Sequence, residues 1–328
     1  MTIGVVVIGR NEGPRLRRCL ESALRTARPI VYVDSGSGDG SVALAAALGV
    51  ETLELERSRP FSAARARNEG FERLLAKFPG IGCVQFLDGD CTLFAGWLEA
   101  AAQALAADAR RAAVIGELME REPGAGVYSR LCAMEWRSAP GDPCNPGSLI
   151  GIAMMRADVF RALGGFRPQL IAGEDPELGI RMALAGYKVT KIACPMATHE
   201  AGITRFAQWW RRAVRAGHAI GQRCDLHGRS AVRDCVRERS STVFWAMGLP
   251  LIVACSAPAS HGASLLLLAA YAVLWFRVWR RRHGAGDCAA DAVLYATFLL
   301  IAKFAHAVGL ARFFFNKLAG RYELIEYK

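Results

Sequence analysis

A chain of 328 residues can hold one large domain or two smaller ones with an ample core, and its apolar fraction of 52% is high for a soluble enzyme, with the excess concentrated in the last third. The net charge of +11 raises nucleic acid as a partner, but neither a basic and aromatic single-strand platform nor a helix-turn-helix pattern accompanies it, so we expect no nucleic acid. The 10 cysteines form no Cys-x-x-Cys pair and read as free thiols of a reducing cytoplasm, which excludes a disulfide scaffold.

The opening "MTIGVVVIGRNE" has only a short apolar run and no positive leader, so we expect folded protein from the start rather than a signal peptide. "IGVVVIG" is a continuous β-branched run of the kind found in a parallel strand covered on both faces. "NEGPRLRRCLESAL" follows at helical spacing, and "PIVYVDSGSGDGS" gives a second strand that ends in a turn. "SVALAAALG" reads as a helix closed by Gly49, then "ETLELE" as a strand, "AARARNEGFERLLAKF" as a helix and "GCVQFLD" as a strand. Alternation of this kind predicts an α/β fold with a mostly parallel sheet flanked by helices, whose binding sites lie at the carboxyl ends of the strands. Asn11, Asp34 and Asp88 fall at such ends.

Directly behind the last of these strands, "QFLDGDCT" sets Asp88 and Asp90 one residue apart. Two like charges at a strand end need a cation or water opposite them, although aspartates also serve turns and caps there. Further along, "GEDPELGIR" reads structurally as a helix whose first position is Pro176, with Asp175 as its cap. His199, in "ATHEAG" after the strand-like "YKVTKIACP", reads by default as a structural histidine.

From Ser240 to Phe276 there is no Asp, Glu, Lys or Arg. A single helix of that length would measure ~55 Å, well beyond a bilayer core of ~30 Å. "SAPASHGA" interrupts the run, so two spans of roughly 18 residues folded as a hairpin fit better. Arg233, Arg237 and Arg239 before it, and Arg277, Arg280, Arg281 and Arg282 after it, place both ends at the cytoplasmic face of the inner membrane and suit attraction to membrane lipids. The next apolar run, Ala292 to Ala302, is too short to span, and "KFAHAVGLARFFFNKL" suits a helix lying in the interface plane; the alternative is a third span, which would move the C-terminus to the far side of the membrane. These readings give a catalytic domain over 1–235, a transmembrane hairpin over 236–283 and an interfacial segment over 284–328.

The segments "VVVIGRNEGPRLRRCLESAL", "VDSGSGDGS", "AARARNEG", "FLDGDC", "GIAMMRADVFRALGGF", "GEDPELGIRMALAGYKV" and "THE", in that order across about residues 3 to 200, resemble the family 2 glycosyltransferases with the GT-A nucleotide-sugar fold. The resemblance implies an inverting transfer of one sugar from a nucleoside diphosphate donor to a lipid-linked or saccharide acceptor of the cell envelope. It implies donor contacts at Asn11, Asp34, Arg67, Asn68 and Asp88, with the Asp-x-Asp motif, Asp88 and Asp90, joined by His199 around Mg²⁺ or Mn²⁺. Such cations prefer oxygen ligands and share them between carboxylates and phosphate, and the cation stabilises charge growing on the leaving diphosphate.

The same resemblance makes Asp175 the general base, since inverting transfer needs a carboxylate opposite the leaving group, with Glu174 orienting the acceptor or the loop. Gly151 opens the segment similar to the family's acceptor-side wall, whose plain reading is a strand and helix packed on the sheet. Trp209, Trp210, Arg211 and Arg212, in "QWWRRAVRAGHAIG", suit either a membrane-interface anchor or an acceptor clamp. Their order departs from the Gln-x-x-Arg-Trp signature of processive synthases, which weighs against polymer extrusion. A nucleotidyltransferase would also use paired acids around Mg²⁺, but leaves "GEDPELGIR" and His199 without a role. A catalytically silent membrane scaffold would leave the acids without one.

Overall fold

A computed structural model describes residues 1–26, 29–170 and 172–320. The eight strands are β1 (Ile3–Gly9), β2 (Ile30–Asp34), β3 (Glu51–Glu54), β4 (Cys83–Asp88), β5 (Cys91–Leu93), β6 (Arg111–Glu120), β7 (Met154–Arg156) and β8 (Lys188–His199). They form one sheet in the order β3-β2-β1-β4-β7-β6-β8-β5. β1, β2, β3 and β4 run parallel; the apolar runs of β1, β2 and β4 are buried between helices, as their uninterrupted pattern requires, whereas β3 at the sheet edge is only half-buried. Beyond β4 the sheet is mixed: β7 is antiparallel to both β4 and β6, and β5 is antiparallel to β8. Two apolar layers flank it, one around Phe71, Phe86, Phe160 and Phe166, the other around Tyr32, Trp97 and Leu105.

The helices of the first half begin and end close to where the sequence places them. Ala63–Lys77 starts at Ser62, whose side chain accepts from the Arg65 backbone N–H, and Gly49, with φ of 70°, lies just past the end of Ser41–Ala47. Glu174–Leu184 departs from expectation. Its cap is Gly173, with φ of 75°, so Asp175 is the second helical residue and not the cap. Glycine tolerates that left-handed conformation without a Cβ clash, which lets the helix begin two residues ahead of Pro176.

Two compact units divide the chain, one from Met1–Glu122 with Glu135–Ala201, the other from Pro123–Met134 with the residues from Gly202 on. The division falls ahead of the boundary expected at residue 235, because helix Phe206–His227 packs within the second unit on helix Ala289–Leu318. Glycines bring these two helices close. A Cβ on Gly309 would lie 1.9 Å from the Val214 carbonyl oxygen, and one on Gly217 would lie 2.2 Å from that of His306. Gly309→Leu is therefore expected to cost at least the ~1–3 kcal/mol typical of overpacking. Thermal unfolding in detergent checks this against Gly284→Leu, whose added Cβ meets nothing within 4 Å; equal shifts would contradict it.

The chain turns where "SAPASHGA" predicts, between Ser256 and Gly262 (φ of 86°). Helical segments from Val236 to Ser256 and from Ala263 to Gly284 form the arms, joined by Ser264 Oγ donating to the Val253 carbonyl at 3.1 Å and Tyr271 Oη donating to the Trp245 carbonyl at 2.5 Å. The expectation that Ala292–Ala302 is too short to span gives way, because that run lies inside one 30-residue helix, Ala289–Leu318. Lys303, which limits the apolar run in the sequence, donates from Nζ to Ser241 Oγ at 3.0 Å, so its polar head has a partner and the helix continues through it. Ala263–Gly284 and Ala289–Leu318 are both long and apolar enough to cross a membrane.

Candidate active site

In the first unit, strand register brings the polar residues together. Gly9 pairs with Asp34 and Ile8 with Asp88, so β1, β2 and β4 end at one level and open one crevice. Asp34 is buried there, accepting from Tyr32 Oη at 2.8 Å and from the backbone N–H groups of Gly36 and Ser37 at 2.9 and 2.7 Å. Asn11, with φ of 54°, stitches the loop after β1 to the same turn: its N–H donates to Ser37 Oγ at 2.9 Å and its Oδ1 accepts from Gly38 at 2.8 Å. Asp39 does the same for Gly13. The Gly/Ser turn is thereby a fixed rim on the crevice.

Asp88 and Asp90 leave the strand end in different surroundings. Arg67 Nη2 donates to Asp88 Oδ1 at 2.8 Å, while Arg67 Nη1 donates to Glu174 Oε1 at 2.9 Å. Asp90, two residues on, stands beside β5, whose antiparallel pairing with β8 sets Cys91 opposite His199. His199 Nε2 lies 3.4 Å from Asp90 Oδ1, and its ring meets Trp136 edge-on at 4.7 Å. Donor atoms of Asp90, Cys91 and His199 all lie within 4.8 Å of one another, and His199 Nδ1 has no hydrogen-bond partner among the described residues. A carboxylate, an imidazole and a neighbouring thiol at that spacing fit a divalent cation.

Asp175 sits half-buried at the start of its helix, next to Glu174. Burial first, then repulsion from Glu174, push its carboxyl up to about 7, with the positive charge of Arg67 pulling the other way. A carboxylate poised there can accept a proton at neutral pH, as a general base must. Glu120, at the end of β6 and paired in register with His199, is also buried and raised by that burial.

The other residues named on resemblance are placed differently. Asn68 spends its amide on bracing: Nδ2 donates to the Phe166 carbonyl at 2.7 Å and Oδ1 accepts from the Phe166 N–H at 2.9 Å. Gly151, expected in an acceptor-side wall, lies against the Arg67 guanidinium. Trp209, Trp210, Arg211 and Arg212 belong to the second unit. Trp209 is buried there edge-on to Phe298 at 4.8 Å, Trp210 lies beside Phe206 and Arg211 is exposed. Sequence reasoning does not single out Cys91, Glu120 or Trp136, nor the bridge from Arg67 to Glu174. The bridge joins residues 107 positions apart, and only the fold reveals it.

Residues 4–161 match the family model described as Glycosyl transferase family 2. A pre-mycofactocin glycosyltransferase of Mycobacterium tuberculosis is 31% identical over 229 residues, covering 66% of this chain and 46% of that protein. The chain thus spans about half the length of this relative. Glycosyltransferase AglE of Haloferax volcanii is 25% identical over 57% of this chain and 63% of its own length. Among solved structures, the mannosyltransferase PcManGT from Pyrobaculum calidifontis, in complex with GDP-Man and Mn²⁺, superposes with a TM-score of 0.61 at 18% identity over 94% of this chain and 86% of that one. S. aureus TarS 1–349 gives 0.56 at 14% identity, over 94% and 92%. The two structural likenesses establish the fold.

Proposed function

We infer, from the premise that this chain is a family 2 glycosyltransferase, that it moves one sugar with inversion from a nucleoside diphosphate donor to a lipid-linked or envelope-polysaccharide acceptor. The carrying observation is the placement of Asp175, ionisable near neutral pH, across the Arg67 bridge from Asp88 at the strand end. In this reading Asn11, Asp34 and Asp88 receive the nucleotide, and Arg67 lies beside them. Asp90 and His199 hold Mg²⁺ or Mn²⁺, and Cys91 stands next to them. When bound, the cation neutralises charge that develops on the departing diphosphate. Asp175 takes the proton from the acceptor hydroxyl as it attacks the anomeric carbon, and the nucleoside diphosphate leaves with the bonding electrons. The PcManGT complex with GDP-Man and Mn²⁺ supports a nucleotide-sugar donor and a divalent cation for this chain as well.

Incubation of the full chain with UDP- and GDP-hexoses and Mn²⁺ tests the reading. Release of nucleoside diphosphate, and a product of opposite anomeric configuration by NMR, are expected. Release of pyrophosphate, or retention of configuration, would overturn it.

The reading places the enzyme on the inner membrane, with its catalytic unit facing the cytoplasm and the arginines beside the apolar helices meeting lipid headgroups. Leu251, Leu265, Leu266, Val273 and Phe276 are exposed along the arms, which supports burial in lipid. The full chain is expected to resist salt and carbonate washes of membranes and to require detergent for extraction. Quantitative recovery in the salt wash would remove the membrane assignment.

A further inference from the structure

Arg67 is buried at 4% exposure, yet it carries a full charge between acids from two distant elements. Arg67 stands on the helix Ala63–Lys77 and reaches both acids through its side chain. One Nη reaches Asp88 at the end of β4 and the other reaches Glu174 at the start of the Glu174–Leu184 helix. Its Nε has no hydrogen-bond partner among the described residues, so the guanidinium is held through its two Nη groups. The guanidinium lies over the Phe166 ring at 5.4 Å, and Phe166 is held in place by both amide atoms of Asn68. On another side stands Gly151. A Cβ there would fall 2.1 Å from Nη2 and 2.5 Å from Cζ, so no other residue leaves the guanidinium where it is.

We propose that Arg67 is a positioning residue which ties the donor end of the site to its base end, fixing Asp175 relative to Asp88, and that Gly151 is the notch that seats it. The inference rests on the transferase reading above and adds to it a residue that acts through others. A planar guanidinium can span two carboxylates because its donors point along a fixed fork. A lysine keeps the charge but offers one compact head, which cannot hold both acids in that geometry. The tie therefore governs the alignment of the proton acceptor, and misplacement by about 1 Å can cost on the order of 10² in rate.

Arg67→Lys, Gly151→Ala and the double variant of the full chain separate this role from direct donor contact. The probes are Mn²⁺ with UDP or GDP for binding, and the nucleotide sugar that the unaltered chain turns over for rates. Each single variant is expected to keep its affinity for Mn²⁺ and nucleoside diphosphate within about threefold and to lose roughly 10–100-fold in kcat. The double variant is expected to lose no more than the worse single one, because both changes break the same tie. Loss of affinity with kcat unchanged would make Arg67 a donor contact, and multiplying losses would detach Gly151 from it; either result overturns the proposal.

A readout independent of turnover uses the pH dependence of stability. The midpoint of the Tm gain given by Asp175→Asn should move upward in the Gly151→Ala background, where the positive charge is displaced from the acids. An unmoved midpoint would overturn the tie. Should the unaltered chain release no nucleoside diphosphate, the transferase reading falls, and a shifted midpoint would still carry the tie as a structural fact.

Discussion

Asp175→Asn is expected to leave the enzyme folded and to lower turnover by a factor on the order of 10²–10⁴, the usual worth of a positioned proton acceptor. The structure sharpens the test, since Gly173 caps the helix and Asp175 is the residue after Glu174. Loss of a cap therefore cannot account for any effect. The helix dipole favours a charge there by about 0.3–1 kcal/mol, while burial and repulsion from Glu174 push the carboxyl the other way, up to about 7. Ionising this carboxyl in the fold is consequently unfavourable. Its pKa is higher folded than unfolded, so the stability it lends is complete below the ordinary value of 3.8 and is lost as pH rises through about 7.

Asparagine cannot ionise, so the variant should be more stable than the unaltered protein at pH 8 and no more stable below about pH 4. The same group gives the rate its pH dependence: kcat/KM should rise through about pH 7 and level off above it, as the base becomes ionised. Thermal melts and initial rates across that window check both signs. Near-normal transfer by Asp175→Asn at saturating donor and acceptor would remove the residue from the chemistry and turn attention to Glu174.

How much of this is legible in the sequence depends on the range of the interactions. β1, β2 and β4 are readable because a strand covered on both faces writes its burial into one uninterrupted apolar run. The acids at their ends follow from the topology. β6 goes unread, although Arg111–Glu120 lies at the centre of the mixed half, because its buried run includes Ala112, Ala113 and Gly116, residue types that signal a strand weakly. Asp90 and His199 are each named on resemblance, but their meeting depends on the β5–β8 pairing, which no local pattern encodes. The start of the Glu174–Leu184 helix is misplaced because Pro176 gives the stronger local signal, while the left-handed glycine that opens it gives a weak one. Lys303 likewise hides a long helix, since a window of hydropathy cannot see that Ser241 receives its ammonium.

The remaining large effect concerns Asp90. Its carboxylate, in the turn between β4 and β5, meets the His199 ring at the end of β8, whereas Asp88 is already engaged by Arg67. The two aspartates of the motif should therefore fail in different ways. Asp90→Ala is expected to keep the fold and to weaken binding of nucleoside diphosphate with Mn²⁺ by a factor of about 10–100 or more. Even groups that merely support metal ligands are worth that much. The lost affinity should be the cation-dependent part alone, so that binding measured in EDTA is the same in both proteins.

Ligand at 100 times its dissociation constant stabilises a fold by about 2.7 kcal/mol, so the Mn²⁺-dependent rise in Tm seen with the unaltered chain should shrink in the variant. His199→Ala should reproduce this loss. Asp88→Asn should instead reduce turnover along with binding, because it also frees one arm of Arg67 and disturbs the acids at the start of the Glu174–Leu184 helix. If Asp90→Ala retained its full Mn²⁺-dependent affinity, the cation would have to be held elsewhere, and the convergence of Asp90 with His199 would be a structural contact only.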